Sequence, residues 1–377
     1  MSAAPAKRIA VITCYRHPDY VRAASLRAAV RASGRFAEVE VVKNRSRGAA
    51  RYLQVTGALV RMAVRPPDAY LVTFRGYEIL PVVLLLSRGR PVYYDEFINP
   101  VEWFVHEHGK FRDGSLPARA LRSLFRAFMR RTAGILTDTA SHAAYSAELM
   151  DLPLERYTAV PVGTDEDTFA AATTSTGTQD GPFSVLYYGS MLPLHGLAVV
   201  LDAARRLAGE GVSFTFVGGD ETDERAVAAA GADGANVQYR SWVPYAELPD
   251  LFAAHRLHLG GPFGDTVQSQ FVITGKTYQF LAMGLPVVVG DNLESGVFRD
   301  RGDALVVAQG DPDALAETIR WAAGHPDELA RIGRAGRATY ERLFSVERVA
   351  DRLGILFGAE QPAQVEEARD REERAEE

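Results

Sequence analysis

Cysteine is almost missing from this chain: Cys14 is the only one in 377 residues. A single thiol cannot close an internal disulfide, so packing must hold the fold, and the composition fits a reducing cytoplasm. Long apolar runs are also missing. Met1 to Lys7 has no extended apolar core and Leu80 to Ser87 is too short to cross a bilayer, so neither a leader nor a membrane span is expected. A nucleotide triphosphatase loop is missing too, although Gly275-Lys276-Thr277 has its ending. That loop needs a glycine five positions before the second one, where Gln270 stands, followed by bulky Phe271, Val272 and Ile273. Nucleic acid is not an expected partner, because the net charge is −6 and the basic half lacks interleaved aromatics.

What is present is ordinary for a water-soluble globular protein, with 47% hydrophobic and 24% charged residues. The length exceeds one usual core, so two α/β domains with room for a cleft are expected. Charge divides unevenly: Met1 to Asp167 holds 24 Lys and Arg against 17 Asp and Glu, and the remainder 18 against 31. Part of the acidic excess lies in residues 361–377, with seven acids, three arginines and almost no apolar residue; a disordered tail is expected there.

Strand and helix patterns alternate through the first half. Strands are expected at Arg8 to Thr13, Val39 to Val42, Tyr70 to Thr73, Pro91 to Tyr94 and Gly134 to Thr137, and helices at Tyr20 to Ala32, Ala118 to Arg131 and Ser141 to Met150. Such alternation predicts a parallel sheet covered by helices. The small, polar stretch AAATTSTGTQDGP reads as a linker. The rhythm restarts at Ser184, with strands expected at Val185 to Tyr188, Phe214 to Val217, Val237 to Arg240, His258 to Leu259, Val287 to Val289 and Leu305 to Val307. Two doubly wound units in tandem would bind a ligand beyond the carboxyl ends of their strands.

The most informative stretch is VITGKTYQFLAMGLPVVVGD, residues 272–291. An apolar helical pattern ends at Gly284, Pro286 blocks its continuation, and Val287, Val288 and Val289 form a β-branched strand. Gly275 lets backbone approach a ligand, and the amides of Lys276 and Thr277 are expected to be free at the positive end of the helix dipole, beside an ammonium. Two readings stand for this unit: a diphosphate site, or an ordinary surface lysine.

The second half resembles a known family in several ordered motifs: SVLYYGSMLPLHGLAVVLDAARRL (184–207), FTFVGGD (214–220), LGGPFGDTVQSQFVITGKTYQFLAMGLPVVVGDN (259–292) and YERLFSVERVADRL (340–353). They are similar to retaining glycosyltransferases of the GT-B fold, in the large group called family four. The stretch 137–169 resembles that family's approach to its interdomain crossing. The resemblance implies two Rossmann-like doubly wound α/β domains facing across a cleft. It places an acceptor-side domain at 1–170, a linker at 171–182, a nucleotide-sugar domain at 183–340 and a C-terminal helix at 341–360 that crosses back to the first domain. It further implies transfer of a sugar from a UDP-, GDP- or dTDP-linked donor to a hydroxyl acceptor, whether glycan, lipid-linked or small molecule, with retention. Polysaccharide or glycoconjugate synthesis in the cytoplasm is the implied setting.

Carried over position by position, the family's donor site falls on Gly189, Ser190, His195, Gly196, Gly218, Gly219, Gly275, Lys276, Thr277 and Gln279. Gly189-Ser190 stands where Gly-Arg is common, and His195-Gly196 where Lys-Gly is common. With both usual cations replaced, Lys276 becomes the main cation for the donor diphosphate, supported by the helix starts near Gly196 and Gly275 and by His195 if it is protonated. Of two family glutamates eight positions apart, Phe271 and Gln279 occupy the places; Gln279 can still bond a ribose hydroxyl, whereas Phe271 cannot contact a sugar through a carboxylate.

Acceptor-side candidates lie in the first domain. Asp95 and Glu96 follow a strand, and the segment 102–108 offers His106 and His108 beside an aromatic wall, with His106 as a catalytic candidate next to Lys276. Arg16 and Arg75 follow other strands, and either is equally well a solvated loop cation. His106 and His108 have no third ligand at a recognisable spacing, and the family is generally metal-independent, so no metal and no cofactor beyond the co-substrate is expected. The helix Ala118 to Arg131 carries Arg119, Arg122, Arg126 and Arg130 on one stripe and Leu121, Leu124, Phe125 and Phe128 mostly on another. It reads either as a peripheral membrane contact or as a surface helix docked on its own sheet. Two rival functions remain, a catalytically degenerate partner subunit and a sugar-nucleotide 2-epimerase.

Overall fold

A computed structural model describes residues 7–107, 109–169 and 181–358. Most of the expected linker, the acidic tail and His108 lie outside the described residues. The chain forms two compact units. Unit 1 takes the chain up to Asp138, then Ala143–Val160 and the chain from Val349; unit 2 takes Thr139–His142 and Pro161–Arg348.

Unit 1 is built from β1 (Arg8–Thr13), α1 (Val21–Ala32), β2 (Glu38–Lys43), α2 (Ala50–Met62), β3 (Ala69–Val72), α3 (Leu80–Leu86), β4 (Val92–Asp95), α4 (Leu116–Met129), β5 (Gly134–Thr137), most of α5 (Ala140–Met150) and β6 (Tyr157–Ala159). Its six strands are all parallel, in the order β2-β1-β3-β4-β5-β6. Central strands such as Ile9–Ile12 and Tyr70–Val72 are continuous apolar runs because helices cover both faces. Neighbouring strand residues point to opposite faces, and Tyr94 joins the core under α2, α3 and α4. Tyr93 instead meets Phe357 at 4.9 Å, from the last helix of the chain.

Unit 2 runs β7 (Phe183–Gly189), α6 (Leu197–Arg206), β8 (Val212–Gly218), α7 (Glu221–Ala232), β9 (Val237–Arg240), α8 (Leu248–Ala253), β10 (Leu257–Leu259), α9 (Gly275–Ala282), β11 (Val287–Asp291), β12 (Leu305–Ala308), α10 (Pro312–Gly324) and α11 (Pro326–Leu343). Its strands are also all parallel, ordered β12-β11-β10-β7-β8-β9. The doubly wound α/β class is therefore present in each unit. The final helix, α12 (Val346–Gly358), packs Leu356 at Gly134 and Phe357 against Tyr93 and Phe36, all in unit 1. Among the described residues, no helix is long and apolar enough to cross a membrane.

Each sheet reverses its winding once. In unit 1 the reversal lies between β1 and β3, where the hydroxyls of Thr13 and Thr73 meet at 2.7 Å; in unit 2 it lies between β7 and β10. Ligands of such sheets sit beyond the strand ends at this point.

Candidate functional site

In unit 2 the winding reversal brings three features together: the end of β7, the turn into α6 and the first turn of α9. Gly189 closes β7 with φ +136, and a Cβ there would lie 3.6 Å from the Lys276 amine and 3.9 Å from the His195 ring. Gly218 closes β8 with φ +101, and its Cβ would lie 2.2 Å from the Gly189 carbonyl oxygen. Only glycine suits both strand ends. Gly196, with φ +70, turns the chain into α6 against Gly264 and bounds a cavity of about 340 Å³ shared with Met191, Pro193 and Gly310. Gly219 lies one residue further on, against Asp223 of the α7 capping box.

Lys276 enters from α9. The amine lies 4.6 Å from the centroid of the Tyr187 ring, and only 6% of the residue is exposed. It has no hydrogen-bond partner among the described residues. Burial pulls its pKa from 10.5 down to about 7, because an ammonium without water or a carboxylate loses its solvation. The site therefore keeps a lysine that charges readily when an anion arrives.

Two expectations need correction here. The protonation on which a cationic His195 depends is disfavoured in the ligand-free site: burial, and then the adjacent Lys276, hold its pKa well below the usual histidine value. It is a neutral imidazole at physiological pH, with Nδ1 enclosed and unbonded among the described residues. Its carbonyl accepts from the Tyr187 hydroxyl at 3.1 Å, which fixes the ring beneath Lys276. Nor is the Thr277 amide free, because it donates to the Thr274 carbonyl at 3.0 Å. The Thr277 hydroxyl pairs with that of Thr274 at 3.0 Å, and Thr274 donates to the Gly260 carbonyl at 2.8 Å. The α9 entrance is thus braced onto the end of β10, and the amides of Gly275 and Lys276 remain in the first turn, where the helix supplies no carbonyl.

The remaining donor-side positions are placed as follows. Ser190 is exposed beyond β7. Gln279 is buried, one helical turn past Lys276, and lies close enough to the Tyr245 hydroxyl to oppose part of the rise in its pKa caused by burial. Phe271 stacks on His142 at 5.2 Å and accepts from Thr139 through its carbonyl, so an apolar ring at this position serves packing within unit 2.

In unit 1 the acceptor-side candidates separate into two kinds. Asp95 is 1% exposed and accepts from Arg22 through Nε at 3.0 Å and Nη2 at 2.8 Å, and from the Phe74 amide at 3.1 Å. Glu96 is fully buried and accepts from Asn99 and Ser146. Both carboxylates are committed to interior partners, which argues against the direct acceptor contact expected of them. His106 is exposed, whereas Arg75 is half-buried and paired with Glu78 at 3.4 Å. Arg75 holds a left-handed backbone (φ +53), lies 4.8 Å over the Trp103 ring and donates to the Tyr77 hydroxyl at 2.6 Å. His106 lies 3.3 Å from the Tyr145 hydroxyl and 4.0 Å from Asp113. Arg16 is exposed at the rim, 6.0 Å from the Tyr15 ring. Among the described residues no three of His, Cys, Asp or Glu gather as a metal centre.

Sequence reasoning missed Tyr187, Tyr245 and Arg22. A tyrosine inside a buried strand has no local sign that a lysine 89 positions later will rest on it.

Comparison with known proteins bears on these features. Residues 198–354 match a family model described as glycosyl transferase-like. Among curated proteins none matches the chain in sequence. Among solved structures, the chain is similar to HepE (Alr3699) of Anabaena in complex with UDP and glucose. The TM-score there is 0.68 at 14% identity, over 92% of this chain and 98% of that one. It is also similar to the sucrose-phosphate synthase of Thermosynechococcus elongatus, with a TM-score of 0.70 at 14% identity over 93% and 98%. The lipopolysaccharide outer core galactosyltransferase WaaB gives 0.62 at 11% identity, over 93% and 99%. The segment 198–354 is thus glycosyl transferase-like, and the chain as a whole has the two-domain α/β fold of these solved structures.

Proposed function

We propose that this protein transfers a sugar from a nucleotide-diphospho-sugar to a hydroxyl acceptor, with retention at the anomeric carbon. The observation that carries the reading is the Lys276 amine, enclosed beside Gly189 and above Tyr187 without an anionic partner among the described residues. A UDP-linked donor is the first choice, since the similar HepE structures hold UDP and UDP-glucose. Breaking the glycosidic bond puts negative charge on the departing diphosphate. The amine and the amides of the first turn of α9 would meet that charge in a site with little water, where such contacts are strong. Docking of the diphosphate raises the proton affinity of Lys276, so the lysine is charged when the bond breaks. Neutral His195 contributes a hydrogen bond rather than a charge. In this reading no metal ion is required, because the ammonium takes the place of a divalent cation, and the enzyme acts in the cytoplasm. Arg75 and His106 are the unit 1 groups offered to the acceptor, with His106 assigned the catalytic part. The acceptor is a hydroxyl of a glycan, lipid-linked or small molecule.

Thermal melting with UDP-glucose, UDP and other nucleotide sugars tests the donor. A rise with a UDP-linked compound that disappears in Lys276→Ala is expected, and transfer should fall about 100-fold, as on loss of a single anion-stabilising donor. No rise with any nucleotide sugar would refute the reading. Binding without turnover would instead mark a degenerate partner subunit, and an epimerised donor would mark a 2-epimerase.

A further inference from the structure

Three neighbouring helices of unit 1 turn apolar side chains outward. α2 buries Val55, Leu59 and Met62 on the core, yet its opposite ridge is Leu53, Gly57 and Val60, continued by Val64. At 100° per residue these positions fall together, directly away from the sheet. The same holds on α3, where Leu80, Val83 and Leu84 face the core and Leu85 stands 76% exposed. On α4 the expected apolar stripe proves to be mostly internal, since Leu121, Phe125 and Phe128 pack on the core. Leu116 and Leu124 are the ones exposed. α3 touches both α2 and α4, so the three outward ridges lie side by side.

The three helices themselves carry charge of one sign. α2, α3 and α4 contain no Asp or Glu, while α2 carries Arg51 and Arg61 and α4 carries Arg119, Arg122 and Arg126. Exposed Arg65, Arg88 and Arg130 follow the three helices in turn. Arg51 and Arg126 are paired with Glu78 and Asp151, but Arg61, Arg119 and the three following arginines stand at the solvent edge. A soluble monomer rarely groups exposed leucine and valine in this way, and the exposed arginines around them suit an anionic partner surface.

We infer that the outward face of α2, α3 and α4 rests on an anionic lipid bilayer, its leucines and valines in the interface and its arginines among the headgroups. This extends the contact beyond the single helix expected from the sequence and does not depend on the donor assignment. Both forces are needed, because a few shallow apolar side chains or a few cations alone bind weakly and reversibly.

The test is sedimentation of the full chain with vesicles of phosphatidylcholine, alone or mixed with phosphatidylglycerol. Binding to the mixed vesicles that falls with added salt is expected, with none to phosphatidylcholine alone. Arg61→Gln and Arg119→Gln should each weaken binding about fivefold. Leu53→Gln, Leu85→Gln and Leu124→Gln should each weaken it about tenfold. All five positions are exposed, so melting temperature and UDP-glucose binding serve as folding controls and should not move. Absence of binding at low salt, or binding indifferent to the leucines, overturns the inference. So does a dimer in solution that Leu85→Gln dissolves, which would assign the face to a second copy of the chain.

Discussion

Replacing Lys276 by methionine should make the protein more stable near neutral pH while removing its hold on a nucleotide sugar. In the unfolded chain the amine titrates near 10.5; in the fold, burial brings it to about 7. Between these values the unfolded chain carries a proton that the folded chain lacks, so wild-type stability must rise as pH increases through this window. The gap corresponds to about 5 kcal/mol in all, of which about 2 kcal/mol is regained between roughly pH 7 and 9. Methionine fills similar volume without a charge to desolvate, so Lys276→Met should exceed wild type by about 4 kcal/mol near pH 7, and the difference should shrink as pH rises. The assay is urea unfolding of both proteins at several pH values between about 7 and 9, followed by a signal from unit 2. Groups shared by the two proteins cancel in the difference, which isolates position 276. A difference that does not vary with pH would refute the idea that the amine is enclosed without a partner. Saturating UDP-glucose should reverse the order of stability, because only the lysine form gains the ligand contact.

Other substitutions probe the surroundings. Asp95→Asn leaves Arg22 buried without its charge partner and should cost about 3–5 kcal/mol in unit 1, seen as an earlier urea midpoint; a cost below about 1 kcal/mol would contradict the pairing. Gly218→Ala forces a Cβ against the Gly189 carbonyl at φ +101 and should cost about 1–3 kcal/mol and weaken UDP-glucose binding, read by melting and by titration calorimetry. His195→Gln exchanges one neutral hydrogen-bonding side chain for another, so UDP-glucose affinity should stay within about threefold between pH 6 and 8. A tenfold loss confined to the acid side would instead mean that the imidazole is charged in the complex.

Much of the architecture was readable from the chain because buried parallel strands write themselves plainly. RIAVIT, GILT and VVV are apolar on both faces, and the structure places β1, β5 and β11 on them. The GKT turn was equally visible, since glycine, lysine and a following helix are contiguous. What the sequence hid were relationships across long separations. Arg22 and Asp95 are 73 positions apart, and an arginine in a helix pattern reads as solvated until its partner is known. The Thr277 amide looked free because the brace from Thr274 to Gly260 depends on where β10 ends. Helix α2 is apolar on two opposite sides, so periodicity alone could not tell its inward Val55 and Leu59 from its outward Leu53 and Val60. On α4 the apolar stripe fits a membrane face and a docked helix equally well in the sequence, and the structure docks Leu121, Phe125 and Phe128 on the core while Leu124 stays exposed.

The buried guanidinium of Arg22 reaches farther than its ion pair. Besides Asp95 at the end of β4, it donates to the Val160 carbonyl just past β6 at 2.6 Å and to the Thr137 carbonyl closing β5 at 3.4 Å. One side chain from α1 therefore rivets three strand tips to a common point. Peeling any of these tips away would strand a charge in the interior. Amide protons near Thr137 and Val160 should accordingly exchange only when the whole of unit 1 opens, and the loops beyond this rim can diversify in length and chemistry while their footing stays rigid.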